Sequence, residues 1–252
     1  MVLPLLQLLF AVFAIYSALK FEEQTRLILP LACLIAMLIV SRIDKIRSEK
    51  EKERRNFLQS EMEKISKTDS MSLQEKDFFT VETLLWPKSE LLLLDAVHSI
   101  FKDLGFMISP GIDYQFVDRI IKIPNTSKSF GLQVIRYEKE ANKNHPKILK
   151  ALQFEKEKRE KEKSLIVAST HIHLPLAERA KMTHISKDLG EVLFRSNIAL
   201  ITAHHLYELW RKAKNGEIDL FDFFQKIYSN RGPFYPLKQP GDLLPPSPFL
   251  PV

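Results

Sequence analysis

Two pairs of histidines are the side chains whose type and spacing most directly suggest chemistry. His171 and His173 follow an apolar run, and the rings of an i,i+2 pair can face one side. His204 and His205 follow a second apolar run. If the two runs are neighbouring parallel strands, the pairs meet at the carboxyl ends, a usual place for sites in α/β sheets. A histidine metal site is one hypothesis, and ordinary loop histidines are the other, because no acidic partner lies nearby in sequence.

The elements that would position these side chains are predicted from apolar periodicity. Ser89–Leu104 repeats apolar residues at helical spacing, Ser89 can cap this helix, and Gly105 ends it. The alternation that follows predicts an α/β fold with a mixed central sheet. The further elements are strands at Val117–Ile123 and Phe130–Tyr137 joined by Asn125–Lys128, a charged helix at His145–Lys163, a strand at Ser164–Thr170, a helix at Ile185–Ser196, a strand at Ile198–Ala203, and helices at His205–Asn215 and Ile218–Tyr228.

The first forty residues predict a membrane anchor. Met1–Leu19 and Leu27–Val40 contain no charged side chain. About 20 apolar residues suffice to cross a bilayer as a helix. The second run is shorter, and we expect Thr25–Ile43 to span with its terminal arginines reaching the interfaces. We therefore predict a transmembrane helical hairpin at residues 1–42. A cleaved signal peptide fits poorly, because neither a basic start nor a small-residue cleavage site is present.

A dense cluster of basic residues after the second run predicts which side of the membrane the rest of the chain occupies. Basic residues mark the cytoplasmic side, so we expect an integral membrane protein with a cytoplasmic domain. The cluster consists of Arg42, Lys45, Arg47, Lys50, Lys52, Arg54 and Arg55.

The rest of the chain is predicted to follow this anchor in four parts. These are a charged helical stalk at 43–67, a linker at 68–88, the α/β domain at 89–230 and a proline-rich tail at 231–252. The apolar stripe of the stalk is broken, so it gives only a weak coiled-coil signal. The tail cannot form regular helix or sheet; it is either disordered or a ligand for a protein partner.

Composition excludes several classes of function. The chain has 252 residues and a net charge of +6, which is compatible with nucleic acid or an anionic membrane surface as partner. Cys33 is its only cysteine, so neither a disulfide framework nor a cysteine zinc site can form within one chain. No glycine-rich phosphate loop and no nucleophile motif is present.

The element order, together with its local sequences, resembles the restriction-endonuclease-like fold of the PD-(D/E)xK nuclease superfamily. The similarity covers about half of the chain, over the range Ser89–Gly216. It is carried by the helix end Lys102–Phe106, by Asp118 at the start of a hairpin strand, by Leu132–Arg136 on the next strand, by Lys150–Gln153 in the following helix, and by Leu200–Ala203 with Leu206–Leu209.

The resemblance implies a metal-dependent phosphodiesterase site. In the superfamily, an Asp and a second acid bind Mg²⁺, and a Lys two residues after that acid shares its face of the strand. The implied catalytic residues are Glu90, Asp118, Arg136 and Gln153, with Glu90 and Asp118 as metal ligands; the cofactor is either none or weakly bound Mg²⁺. Val134 stands at the acidic position, however, and Arg136 stays protonated, which makes it a poor base.

Structural explanations exist for the same residues. Asp118 can simply start a strand, Glu90 can favour the positive end of its helix, and Arg136 can pair with a nearby acid. A shift of one residue along the strand would instead turn Gln133 and Ile135 toward the site.

Three functional hypotheses follow, and whether the protein is an enzyme stays open. The first is a membrane-anchored domain with impaired catalysis that binds DNA, RNA or another macromolecule. The second is an active Mg²⁺-dependent nuclease that uses Glu90, Asp118 and Arg136. The third is a membrane scaffold without a nucleic-acid role.

Overall fold

The N-terminal part of the chain is dominated by one long helix. The structure, a computed structural model, describes residues 11–12, 15–16, 25–68, 75–111 and 116–234. Helix α1 (Thr25–Thr68) has 44 residues. As predicted, the charged stalk continues the helix of the second apolar run without a break. The chain divides into two compact units, residues 1–64 and 65–252.

The hairpin predicted at 1–42 is not found in the part of the chain that the structure describes. No helix there is both long and apolar enough to cross a membrane. Most of Met1–Leu19 lies outside the described residues. Leu27–Val40 lies within α1, and this uncharged run is shorter than the roughly 20 residues that a spanning helix needs.

The second unit is an α/β domain built on a six-stranded mixed sheet with flanking helices. Its strands are β1 (Met107–Pro110), β2 (Arg119–Lys122), β3 (Ser129–Arg136), β4 (Glu162–Ser169), β5 (Ala199–Thr202) and β6 (Gly232–Pro233). Its helices are α2 (Glu75–Leu85), α3 (Glu90–Asp103), α4 (Pro146–Glu157), α5 (Leu176–Arg179), α6 (Lys187–Arg195), α7 (Ala203–Lys214) and α8 (Leu220–Ser229).

The strands follow one another across the sheet in chain order. β1, β2 and β3 pair antiparallel, whereas β3, β4, β5 and β6 pair parallel. The carboxyl ends of β3, β4 and β5 therefore lie at the same edge of the sheet. The register places Arg136 opposite Ser169 and Ala168 opposite Thr202.

Both faces of the sheet carry a buried apolar layer. On one face, Ile135 of β3 packs with Ile148 and Ala151 of α4 and with Leu189 and Leu193 of α6. On the other face, aromatic rings of α3, β3 and α8 meet, because Phe224 lies 5.7 Å from Phe101 and 6.4 Å from Phe130 between ring centroids. β3 is thus buried on both sides, and all its residues except Arg136 are buried.

The predicted ends of several elements need correction. The helix predicted at His145–Lys163 ends at Glu157, and the charged run continues through a turn into β4. Lys163 is buried in β4 because oxygen atoms of other elements receive its ammonium group. In the tail predicted at 231–252, Gly232 and Pro233 pair with β5; the edge of the sheet tolerates a proline, which lacks an N–H group. Residues 235–252 lie outside the described ones.

Three parts of the domain were absent from the sequence prediction, one of which is the one-turn helix α5. Strand β1 forms the edge of the sheet beside β2. The range 68–88, predicted as a linker, contains α2, which packs against α3 and α7, and Val81 and Leu84 of α2 are fully buried.

Candidate functional site

The candidate site lies where β2 begins beside β3. The last residue pair of this ladder is Arg119 with Leu132, and the backbone N–H of Asp118 still donates to the carbonyl oxygen of Leu132 at 2.8 Å. Further along β3, at Val134, side chains replace β2 as the hydrogen-bonding partners of the main chain. The N–H of Val134 donates to Asp118 Oδ2 at 2.9 Å, and its carbonyl oxygen accepts from Lys147 Nζ, also at 2.9 Å. The Asp118–Lys147 ion pair thus provides the main-chain hydrogen bonds of Val134 that β2 does not supply.

Lys147 joins three elements at this point. Its Nζ lies 2.7 Å from Asp118 Oδ2 and 3.5 Å from Glu90 Oε2, in addition to the contact with Val134. The side chains of Lys147 and Asp118 are 18% and 20% exposed, so this pair is only partly solvated. An ammonium group has three N–H donors, and three oxygen atoms surround it here.

Glu90 is the first residue of α3, where the positive end of the helix dipole favours a carboxylate. The cap of this helix is as predicted, because Ser89 accepts a hydrogen bond from the N–H of Leu92. Glu90 Oε1 accepts from the N–H of Arg136 at 3.3 Å and lies 3.1 Å from His145 Nε2. The carboxylate therefore ties the start of α3 to the end of β3 and to the start of α4.

His145 caps α4 and has a defined tautomer. Its Nδ1 accepts from the N–H of Lys147 at 3.2 Å, so Nε2 carries the proton and donates to Glu90. Burial lowers the pKa of His145, and the nearby Glu90 opposes that effect. The ring also packs against Tyr137, whose pKa burial raises to about 12. Neither group changes its charge readily at neutral pH, so both act here as neutral hydrogen-bonding partners.

Arg136 is held at the rim of the site. Its Nε donates to the carbonyl oxygen of Pro87 at 3.0 Å, and its side chain is 24% exposed. Val134, two residues earlier, lies on the same face of β3 and is fully buried. The shifted register is excluded, because Ile135 packs into the core on the opposite face. Gln133 is also buried, and its Nε2 donates to the carbonyl oxygen of Phe116.

Three of the four residues predicted as catalytic are thus gathered at the end of β3: Glu90, Asp118 and Arg136. The fourth, Gln153, lies on α4 six residues beyond Lys147, about 9 Å further along the helix axis. Its side chain is exposed and donates to Glu157 Oε1 at 3.0 Å. Gln153 therefore belongs to the solvated surface of α4 rather than to the cluster.

Lys147 and His145 were not among the residues predicted from the sequence, although a signal for Lys147 is present. Lys147 is in the first turn of α4, where the helix dipole disfavours a cation, and this turn has no acidic residue. A lysine in that position needs carboxylates from elsewhere in the fold. The sequence could not indicate that Glu90 and Asp118, far away in the chain, supply them.

Of the four histidines predicted to meet, His171 and His205 both lie beside a further residue, His184. His204 stacks on His205, whereas His173 is 60% exposed and lies beside Glu138 instead. Ring centroids of His184 lie 5.7 Å from His171 and 6.5 Å from His205. Thr170 Oγ1 lies 2.6 Å from His184 Nδ1, and His171 Nε2 donates to the carbonyl oxygen of Thr183 at 2.9 Å. Burial lowers the pKa of His184 and of His205 to about 4, so both are neutral at physiological pH.

The described residues do not fit either of the metal sites considered from the sequence. They contain no group of three or more His, Cys, Asp or Glu side chains placed to hold a metal ion. For the Mg²⁺ implied by the resemblance, Glu90 and Asp118 are suitable ligands, but the ammonium group of Lys147 lies between them. A divalent cation and an ammonium group would repel each other at that distance.

Comparisons with protein-family models, with curated proteins and with solved structures find no match to this chain. The fold alone therefore defines only a general class of protein: an α/β domain with a mixed six-stranded sheet, preceded in the chain by a long helix.

Proposed function

We propose that residues 75–234 form a restriction-endonuclease-like domain that binds nucleic acid and has lost metal-dependent hydrolysis. One observation carries the proposal: Glu90, Asp118 and Arg136 converge at the carboxyl end of β3. The cation that lies between the two carboxylates is the ammonium group of Lys147. The convergence supports a site of common origin with the nucleases. The lysine supports the loss of hydrolysis.

Arg136 is the residue best suited to contact a phosphate. A guanidinium group stays charged and presents a planar fork of donors to phosphate oxygens. The Nε contact with Pro87 orients this fork. Nη2 of Arg136 lies 4.0 Å from Glu138 Oε1, and this ion pair is weak because Glu138 is exposed. Two carboxylates alone would repel a phosphate, but Lys147 and Arg136 together balance the charges of Glu90 and Asp118.

Hydrolysis lacks two of its requirements in this arrangement. Val134 offers no carboxylate at the position where the superfamily carries its second acid, and its side chain is fully buried. Arg136 remains protonated and cannot take a proton from water. We therefore expect binding without cleavage.

The membrane part of the proposal rests on the N-terminal sequence and is tested separately. We propose that residues 1–42 anchor the protein and leave the domain in the cytoplasm. Alkaline carbonate extraction of membranes from cells that express the full chain tests this anchor. Retention in the pellet supports it, whereas release of the full chain into the supernatant contradicts it.

The binding proposal is tested on the full chain in mild detergent by fluorescence anisotropy. The probes are labelled single- and double-stranded DNA and RNA, each at low and high salt, with chelator or with Mn²⁺. We expect binding that is salt-dependent and insensitive to chelator, with intact probes. Because each lost phosphate contact lowers the salt slope by about 0.9, Arg136→Gln should reduce both the affinity and the slope.

Arg195→Gln is the matched control for Arg136→Gln. Arg195 is exposed at the end of α6, just before β5, and so lies at the amino ends of the parallel strands, away from the site. Its loss should leave the slope unchanged. Cleavage that requires Mn²⁺ and Asp118 would replace the proposal with an active nuclease. Failure to bind any probe at low salt would leave the scaffold hypothesis.

A further inference from the structure

The environment of Lys147 is that of a bound cation. Its Nζ has three oxygen neighbours from three elements: Asp118 Oδ2 at 2.7 Å, the carbonyl oxygen of Val134 at 2.9 Å, and Glu90 Oε2 at 3.5 Å. Two carboxylates and one main-chain carbonyl form the kind of oxygen set that Mg²⁺ and Mn²⁺ prefer. The first two distances are those of N–H···O hydrogen bonds and the third is that of an ion pair. All three exceed the roughly 2.0–2.1 Å of Mg²⁺ coordination.

The position of Lys147 in α4 makes sense only with these acids present. The second residue of a helix lies at the positive end of the helix dipole, where a lysine is unfavourable. Two carboxylates offset that effect, so the ammonium group and the two acids depend on each other. Any other group or ion that binds among these three oxygen atoms must therefore also be positively charged.

We infer that Lys147 is a built-in cation that takes the place of a divalent metal ion and closes this oxygen set to Mg²⁺ and Mn²⁺. The inference rests on the proposed function in treating the cluster as a former metal site, but its test does not involve nucleic acid. Its direct consequence is that removal of the lysine charge opens a divalent-cation site made by Asp118, Glu90 and the carbonyl oxygen of Val134.

The test measures Mn²⁺ binding to the full chain in detergent, from the electron paramagnetic resonance signal of free Mn²⁺. The central variant is Lys147→Met, which keeps the aliphatic stem and removes the charge. We expect it to bind one Mn²⁺ at least about tenfold more tightly than the unmodified protein does. Lys147→Arg keeps the charge and should show no gain.

Two further variants separate this site from acids elsewhere on the surface. Lys150→Met removes an exposed lysine from the same helix and should leave Mn²⁺ binding unchanged. Asp118→Asn combined with Lys147→Met should abolish the gain. A gain that survives Asp118→Asn, or equal affinity of Lys147→Met and the unmodified protein, would overturn the inference.

Folding is followed in parallel, because the loss of Lys147 leaves two carboxylates close together. We expect Mn²⁺ to raise the unfolding temperature of Lys147→Met and not that of its combination with Asp118→Asn. If Lys147→Met does not fold in chelator, Mn²⁺ should restore its circular dichroism spectrum, and failure to do so would also count against the inference. Neither readout depends on nucleic-acid binding, so the two proposals fail independently.

Discussion

Asp118 accepts a hydrogen bond from the backbone N–H of Val134, at 2.9 Å, through the same oxygen that contacts Lys147. One carboxylate oxygen thus replaces a strand partner for β3 and neutralises a partly buried lysine. This double role explains why an aspartate is required just before β2 whether or not the protein has any catalytic activity.

Asp118→Ala should therefore destabilise the fold even if it has no effect on any reaction. The substitution leaves the N–H of Val134 without its acceptor and removes the nearest of the three oxygen atoms around the ammonium of Lys147. We expect a loss of about 1–3 kcal/mol in the free energy of unfolding. Urea denaturation measures this loss. Asp118→Asn retains an acceptor and should lose less. Asp95→Ala, at an exposed position of α3, is the control and should stay within about 0.5 kcal/mol.

Acid should weaken the domain through its partly buried histidines. The pKa of His184 and of His205 in the folded protein is about 4, mainly because of burial and also because of neighbouring histidines and, for His184, Arg179. The ordinary pKa is 6.5, so the unfolded chain binds more protons than the folded one between pH 6.5 and about 4. Stability from these residues is complete above pH 6.5 and is lost as the pH falls through that window.

Denaturation midpoints at a series of pH values test this acid dependence. His184→Gln should flatten the profile between pH 6.5 and about 4. His173→Gln is the control, because the side chain of His173 is 60% exposed and takes no part in the ring contacts of His184 with His171 and His205. An equal slope in the unmodified protein and in His184→Gln would contradict the prediction.

Gly131 should not tolerate a side chain. It lies in the middle of β3, and a Cβ atom there would come within 2.9 Å of Phe154 Cδ1 and closer still to the edge of that ring. Because both residues are buried, we expect Gly131→Ala to cost about 1–3 kcal/mol in unfolding free energy. Combination with Phe154→Leu should recover part of the loss, and strictly additive effects of the two substitutions would show that the ring is not the cause.

Lys163 should stabilise the end of α8. Its side chain is buried, and its ammonium donates to Asn197 Oδ1 at 3.1 Å, to the carbonyl of Tyr228 at 2.7 Å and to that of Asn230. Lys163→Met leaves these oxygens unpaired, so we expect faster hydrogen exchange in α8 and β6, with unchanged exchange in α3. Lys161→Met, an exposed neighbour, is the control.

The same lysine predicts an alkaline effect on stability. Burial lowers the pKa of Lys163 to about 8 from the ordinary 10.5. The unfolded chain therefore holds more protons across that range, and the contribution of Lys163 to stability rises as the pH increases from about 8 to 10.5. Thermal unfolding of Lys163→Met should lack this rise.

Local sequence predicted the elements whose signals are local. The helix starting at Glu90 follows from its apolar spacing and its serine cap, and the β2–β3 hairpin from the polar turn in which Asn125 adopts a positive φ of 58°. The strand β1 was missed because four residues with mixed exposure carry no clear alternation. The end of α4 was misplaced because the charged run looks helical, and only long-range contacts bury Lys163.

The site could be predicted only in part for the same reason. Glu90, Asp118 and Arg136 were named through the resemblance, because each sits at a recognisable start or end of an element. Lys147 depends on the convergence of α3, β2 and α4, which no local pattern encodes.

The short strand β6 affects whether copies of the protein can associate through the edge of the sheet. A parallel sheet that ended at β5 would present free N–H and C=O groups, to which a strand of another molecule could add. The N–H groups of Gly232 and Phe234 donate to the carbonyl oxygens of Ile198 and Leu200 at this edge, at 2.8 Å and 2.7 Å. Pro233 lies between them and has no N–H to offer outward. The chain thereby protects this sheet edge against aggregation at high local concentration.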